Sequence, residues 1–411
     1  MFEWYDFFLA AVAAAAVWPK IFFPARFDPA VALAVSVASV GLAYLARPVG
    51  AIVFGHIGDK YGRRNTLVWT LILMGVSSLG TALLPPYASI GMLALAMIFV
   101  FRLLVGIGLG GEQGGAFSWV AEARPNSKRR GFWIAWPNAV LTLGKLLSIL
   151  AFYVVSASVS TAAYLDWGWR IPFALGALML VIALLVRVKV MESPLFQQLQ
   201  VKRSVLKYPA FQVMREEWRK IVKLLWLMAY SATVTGMLIL PYSVSYLVAR
   251  GVSDSFANLS VTVGTAVSFF TMLTGGFLSD IAGRIKVIRA GAALTIVVLY
   301  PYMFLLQTLN PILIIGAQAL LYPICQCQLG AASTVYVESF ATKFRYSGAG
   351  ITYQLGGMIT GILVAIILPI FLITYGVIGS WQPIVLVNIG LALLAIVSTL
   401  FLKETRGTAL Q

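Results

Sequence analysis

The amino-acid sequence predicts an all-α integral membrane protein, with 12 transmembrane helices in two pseudo-symmetric six-helix bundles. Three observations carry this reading: a scarcity of charge, 12 apolar runs of spanning length, and a set of motifs that recurs in the same order in the second half of the chain.

Of 411 residues, 60% are hydrophobic and 11% charged, and the mean hydropathy is +0.91. Soluble chains carry roughly 25% charged residues. This chain has too little polar surface for water, which leaves lipid as its solvent. The formal net charge of +16 would suggest nucleic acid in a soluble protein. Here the charges follow the spans and read as a membrane orientation signal, so no nucleic-acid partner is expected.

A helical span needs about 20 mainly apolar residues. Such runs occur at 2–22, 31–57, 66–84, 92–119, 131–156, 170–190, 221–247, 257–279, 287–307, 312–336, 346–373 and 383–402. Turn chemistry separates them, as at Pro85-Pro86, Asn310-Pro311 and Gln382-Pro383. The first run holds Glu3 and Asp6 and lacks a basic leader, so it reads as a spanning helix and not a cleavable signal. Its abrupt start at Met1 suggests a shortened amino terminus. With both termini inside, 23 of the 30 Lys and Arg fall in inside loops and the C-terminus, against four outside: Lys20, Arg26, Arg170 and Arg250. This positive-inside pattern places both termini in the cytoplasm of a multi-pass cell-membrane protein.

The repeat is explicit. Gly55-x-x-x-Asp59 with Gly62-Arg63 returns as Gly276-x-x-x-Asp280 with Gly283-Arg284. Glu122 before Lys128-Arg129-Arg130 returns as Glu338 before Lys343 and Arg345. Glu192-Ser-Pro returns as Glu404-Thr-Arg. The three markers keep their order and recur at nearly equal offsets, as a duplicated six-helix unit requires. The expected organisation is an N-terminal bundle 1–190, a basic cytoplasmic linker 191–220 and a C-terminal bundle 221–411. Repeats around a midplane site are a feature of transporters.

Further segments run through the chain: Glu3-Trp4-Tyr5-Asp6-Phe7-Phe8, Arg47-Pro48-Val49-Gly50, Gly110-Gly111-Glu112-Gln113-Gly114-Gly115, Asp166-Trp167-Gly168-Trp169-Arg170, Glu192-Ser193-Pro194-x-Phe196 and Arg345-Tyr346-Ser347-Gly348. With the two Gly-x-x-x-Asp loops they resemble the major facilitator superfamily, in its metabolite:proton symporter branch of osmolyte, dicarboxylate, citrate and shikimate carriers. The resemblance implies symport of a small solute with protons by alternating access between the halves. Lys145 in the fifth run departs from the family pattern.

Ionisable groups inside spans cost several kcal/mol unless paired or hydrated, and so ask for a function. Glu3 and Asp6, three apart, share a helical face. Burial disfavours a charged carboxylate, which suits proton exchange near neutral pH; both are expected to couple protons, Asp6 foremost, with Glu112 a third candidate or a helix-pairing group. Arg102 lies about 15 Å into its span, near the midplane. It suits bidentate binding of a carboxylate, or equally an ion pair with Asp6. Lys145 is expected to face the cavity and attract an anion. Tyr230, Gln326, Tyr353 and Gln354 are candidates for hydrogen bonds to a solute. Arg47, one residue before Pro48, is expected to satisfy carbonyls freed by the proline. Gly55, Asp59, Gly62 and Arg63, with Asp280, Gly283 and Arg284, are assigned to gating, because an acid there can accept from a helix N-terminus or an arginine while glycine permits close approach.

Two motifs are set aside. Gly106-x-Gly108-x-x-Gly111 matches a dinucleotide fingerprint, but no strand precedes it; Gly106, Gly110 and Gly114 have the spacing of close helix contact in lipid. His56 stands alone, and Cys325 and Cys327 suit neither metal nor disulfide, so no metal or cofactor is expected. The reading is a secondary active transporter, not an enzyme, acting as a monomer on a small organic acid. The rivals are uptake of a zwitterionic osmolyte such as proline or betaine, and a transport-inactive solute sensor.

Overall fold

The structure is a computed structural model describing residues 2–24, 26–189, 192, 194–201 and 206–410. Its helices follow the apolar runs. The first half comprises α1 (Phe2–Ala16), α2 (Pro29–Tyr61), α3 (Arg63–Leu83), α4 (Met92–Ala123), α5 (Arg130–Ser158) and α6 (Arg170–Lys189). The second comprises α7 (Trp218–Ala249), α8 (Asp254–Ala282), α9 (Arg284–Gln307), α10 (Pro311–Glu338), α11 (Thr342–Gly379) and α12 (Trp381–Leu400). Among the described residues, eleven helices are long and apolar enough to cross a membrane, and α1 is a shorter apolar helix. Two linker helices, Pro194–Val201 and Pro209–Glu216, join the halves.

Several helices outrun the apolar stretches that announce them. α2 reaches Tyr61 and α4 reaches Ala123, because the helix continues past the hydrocarbon into the charged face. α7 relaxes into a π-helical stretch at Val234–Tyr242, around Pro241. α11 does so at Leu363–Ile367, just before Pro369. Proline removes an N–H and crowds the preceding turn, and a wider turn absorbs the mismatch.

Glycine decides how the helices approach. α2 crosses α4 with Gly50, Gly106 and Gly110 at the contact, where any Cβ would collide with the carbonyl oxygens of Ile107, Ala43 and Arg47. The same device joins α8 and α10 in the second half, through Gly275 against Cys327 and Gly330 against Met272. With no solvent-driven hydrophobic attraction between helices in lipid, such backbone packing does the holding. Leucine at Gly110 is therefore expected to lower the detergent melting temperature by several degrees, from an overpacking cost of roughly 1–3 kcal/mol. A melting temperature equal to the native one would show that this crossing tolerates separation.

The halves meet along α2 with α11 and α5 with α8. A Cβ on Gly55 would come 2.9 Å from Ser347 Cα, and one on Gly114 would lie 2.6 Å from the Tyr346 carbonyl oxygen. On the face carrying the loops after α2 and α8, here the basic face, the halves are closed against each other.

Candidate functional site

A cavity of about 130 Å³ lies between the halves. α1 contributes Trp4 and Phe8, α2 Tyr44 and Arg47, α5 Asn138 and Lys145, α10 Tyr322 and Gln326, and α11 Tyr353. No Asp or Glu is among the described residues that line it.

Both cations are buried. The Lys145 ammonium lies 3.5 Å from Thr265 Oγ1 and 5.8 Å from the ring centres of Phe8 and Tyr322. Arg47 packs into a box of aromatic rings. Its guanidinium carbon sits 4.1, 4.5 and 4.8 Å from the rings of Tyr44, Phe7 and Trp4. Three electron-rich faces favour a cation there. Its Nε and Nη2 have no hydrogen-bond partner among the described residues, and neither cation has an acid within ion-pair distance there. Tyr353 donates to Asn138 Oδ1 at 3.2 Å, so one hydrogen bond within the cavity wall spans the halves.

Trp4 and Phe8, at i and i+4, face this cavity, which turns Asp6 to the other side of α1. There Asp6 accepts from Ser78 Oγ at 2.5 Å and lies 3.9 Å from Arg102 Nη1. Arg102 donates to Thr81 Oγ1 at 3.0 Å and sits over Trp18. All four polar groups are buried. At the place in the second half that the repeat pairs with Arg102 stands Gln318, which accepts from Tyr302 at 3.2 Å and donates to Ser243 at 3.0 Å. The first half holds an ion pair where the second holds a neutral network.

The basic face carries a duplicated lock. Asp59, at the end of α2, accepts from the backbone N–H groups of Tyr346 and Ser347, at 3.1 and 2.8 Å, near the start of α11 in the other half. Asp280, at the end of α8, accepts from Gly131 and Phe132 at the start of α5, at 2.8 and 2.9 Å. Each carboxylate thus meets the positive end of a helix in the opposite half. Arg63 pairs with Asp59 and Glu122, and Glu122 reaches across to Arg345 at 2.8 Å. Arg284 pairs with Asp280 and Glu338, and Glu338 reaches across to Arg130 at 2.8 Å. Gly62 and Gly283, at φ of +120° and +104°, make the turns that bring these arginines back. A side chain at either would be strained.

A family model described as "Sugar (and other) transporter" matches residues 1–215. The chain is 32% identical to the inner membrane metabolite transport protein YhjE of Escherichia coli K12, over 99% of this chain and 92% of that one. It is 28% identical to the shikimate transporter of the same organism, over 98% and 92%, and 30% identical to its proline/betaine transporter, over 88% and 73%. The chain belongs to the sugar (and other) transporter family. It is a member of the major facilitator superfamily, in its metabolite:proton symporter branch. The proton:xylose symporter XylE bound to 6-bromo-6-deoxy-D-glucose has the same fold, with a TM-score of 0.80 at 16% identity over 100% of this chain and 95% of that one. The inward-open conformation of XylE gives 0.62.

In this transporter the residues singled out from sequence fall in several separate places. Lys145, Gln326 and Tyr353 line the cavity. Arg102 does not; it is buried with Asp6 inside the first half. Tyr230 points into the second half, 2.5 Å from Thr295 Oγ1. Gln354 donates to the Leu109 carbonyl across the halves, at 3.2 Å. Glu112 pairs with Arg187 at 3.6 Å beside a separate cavity within the first half. The Glu3 side chain lies outside the described ones. Sequence reasoning missed Arg47, Asn138 and Tyr322 in the cavity, and Glu122, Glu338, Arg130 and Arg345 in the lock. The repeat already marked the last four, since each has a counterpart at nearly equal offset. Among the described residues no group of three or more His, Cys, Asp or Glu is placed to hold a metal.

Charge-assisted hydrogen bonds are about twice as strong as neutral ones, so Asp59→Asn and Asp280→Asn should each loosen the lock. The measurement is alkylation of a cysteine placed at Ser333, which is buried at the junction and bonded to Asn138. Several-fold faster labelling from the basic face is expected, and an unchanged rate in both variants would remove these acids from the gate.

Proposed function

We propose that the chain carries a small organic acid together with protons, by alternating access between its halves. The observation behind this is the central cavity, where two buried cations, Arg47 and Lys145, face a space with no described acid. A buried charge without a partner costs far more than a paired one. A carboxylated solute supplies the missing partner, and Asn138, Gln326, Tyr322 and Tyr353 supply orienting hydrogen bonds. A guanidinium suits a carboxylate because it presents parallel donors.

Asp6 is assigned the proton. Its neighbours are one hydroxyl and a guanidinium at 3.9 Å, so a change of charge on the acid is felt directly by Arg102. The neutral Gln318 network at the corresponding place gives the second half no such group. Asp59, Asp280 and their arginines are assigned the gate on the basic face, which the positive-inside rule assigns to the cytoplasm.

The rival is a zwitterionic osmolyte, and the rings of Trp4, Phe7 and Tyr44 speak for it, since such faces also hold quaternary ammonium groups. In the present arrangement Arg47 fills that box. Proteoliposomes under an inward proton gradient test the reading, with labelled di- and tricarboxylates beside proline and betaine. Uphill accumulation of an acid, abolished by a protonophore, is expected. Uptake of proline or betaine alone would transfer the assignment to the osmolyte, and binding without accumulation would make the chain a sensor.

A further inference from the structure

The two locks on the basic face are built from the same parts but are not filled alike. In the first, Glu192 accepts from the Arg64 backbone N–H at 3.2 Å, and four residues later Phe196 is fully buried with Arg63 over its ring at 4.8 Å. In the second, Glu404 accepts from the Arg284 and Ile285 backbone N–H groups at 2.9 and 3.1 Å. Four residues later stands Thr408. Where Phe196 plugs the first lock, the second keeps a cavity of about 430 Å³.

The walls of that cavity are basic. Lys128 comes from the loop before α5, Arg130 from the start of α5, Arg284 from the start of α9, and Arg406 from the C-terminal tail, and Asp280 is the one acid among the described lining residues. Arg130 and Arg284 are held by Glu338 and Asp280. Lys128 and Arg406 have no acid partner among the described residues, and they come from opposite halves. The tail is fixed in place: Thr405 Oγ1 donates to Glu338 at 2.5 Å, the Arg406 N–H donates to Glu404 at 3.0 Å, and Arg130 donates to the Thr408 carbonyl at 3.2 Å.

We propose that this cavity binds a multivalent anion of the phosphate class, free in solution or as a lipid headgroup, which bridges Lys128 to Arg406 and so fastens the basic face shut. Arg130 and Arg284 are balanced by Glu338 and Asp280, so the two cations that no described acid holds, Lys128 and Arg406, favour an anion of more than one charge, and lysine and arginine are the usual phosphate donors. A ligand that binds only the closed state stabilises it by an amount that grows with the logarithm of its concentration above Kd.

The test is direct binding of inorganic pyrophosphate to the full chain in phosphatidylcholine nanodiscs, with native mass spectrometry of anionic lipid retained from the membrane as a second arm. Lys128→Gln/Arg406→Gln is compared with Thr408→Phe, which recreates the Phe196 plug without removing charge, and with Lys403→Gln as a charge control. At least tenfold weaker pyrophosphate binding in the first two, and none of that loss in the control, supports the free anion. Loss of retained lipid in the same two variants, with pyrophosphate binding absent throughout, supports the headgroup. Equal binding and equal lipid in all four proteins, or equal loss in Thr408→Phe and Lys403→Gln, would reduce the effect to the diffuse charge of the face and overturn the proposal.

Discussion

Replacing Asp6 by asparagine is expected to collapse uphill accumulation of the solute to its equilibrium level while leaving exchange across the membrane in place. An asparagine has no group that titrates near neutral pH, so solute can still cross but cannot be driven by the gradient. The substitution also leaves Arg102 buried beside a neutral group, and breaking a buried pair by removing one partner costs about 3–5 kcal/mol. Loss of folding would then be mistaken for loss of coupling. Asp6→Asn with Arg102→Gln removes that ambiguity, because the second half already holds a folded neutral counterpart in Gln318, Tyr302 and Ser243. The double variant should fold, exchange labelled solute at a rate within a few-fold of the native protein, and accumulate none. Continued proton-driven accumulation by it would remove Asp6 from the coupling step and return the question to Glu112 or Glu3.

The fold was legible because its cause is written in composition. Apolar runs of spanning length, broken by proline and asparagine, leave the chain little choice in lipid, and the duplicated Gly-x-x-x-Asp loops report the duplicated bundle. The lock was partly legible for the same reason. Asp59 and Asp280 stand where an acid meets a helix start, although which helix start they meet, in the opposite half, needs the tertiary arrangement. The cavity was the least legible part. Arg102 and Lys145 both read as charges deep in a span, and depth along a helix says nothing of the direction a side chain faces across the bundle. One turned inward to Asp6 and the other toward the second half. Arg47 was hidden by its neighbour Pro48, which offered a local reason for its presence; the aromatic box that holds it draws on α1 and α2 together.

Lys145→Met separates a binding cation from a structural one by the sign of its effect on stability. A lysine in a structural ion pair stabilises the empty protein, and its loss lowers the melting temperature. Lys145 has no described acid partner, so the empty protein bears the cost of its desolvation, and methionine of similar length should raise the melting temperature without solute. The same change should weaken an anionic solute by about 2–5 kcal/mol, the range for removing one side of a buried charge pair, or roughly thirty- to several-thousand-fold in affinity. Arg47→Met should act in the same direction on binding while freeing the rings of Trp4, Phe7 and Tyr44. If it instead confers binding of betaine, the box is a quaternary-ammonium site that the arginine occludes, and the preference for acid over osmolyte rests on that one residue. If Lys145→Met lowers stability and leaves solute affinity unchanged, the ammonium is a packing element of the α5–α8 junction, and the anion-binding role falls to Arg47 alone.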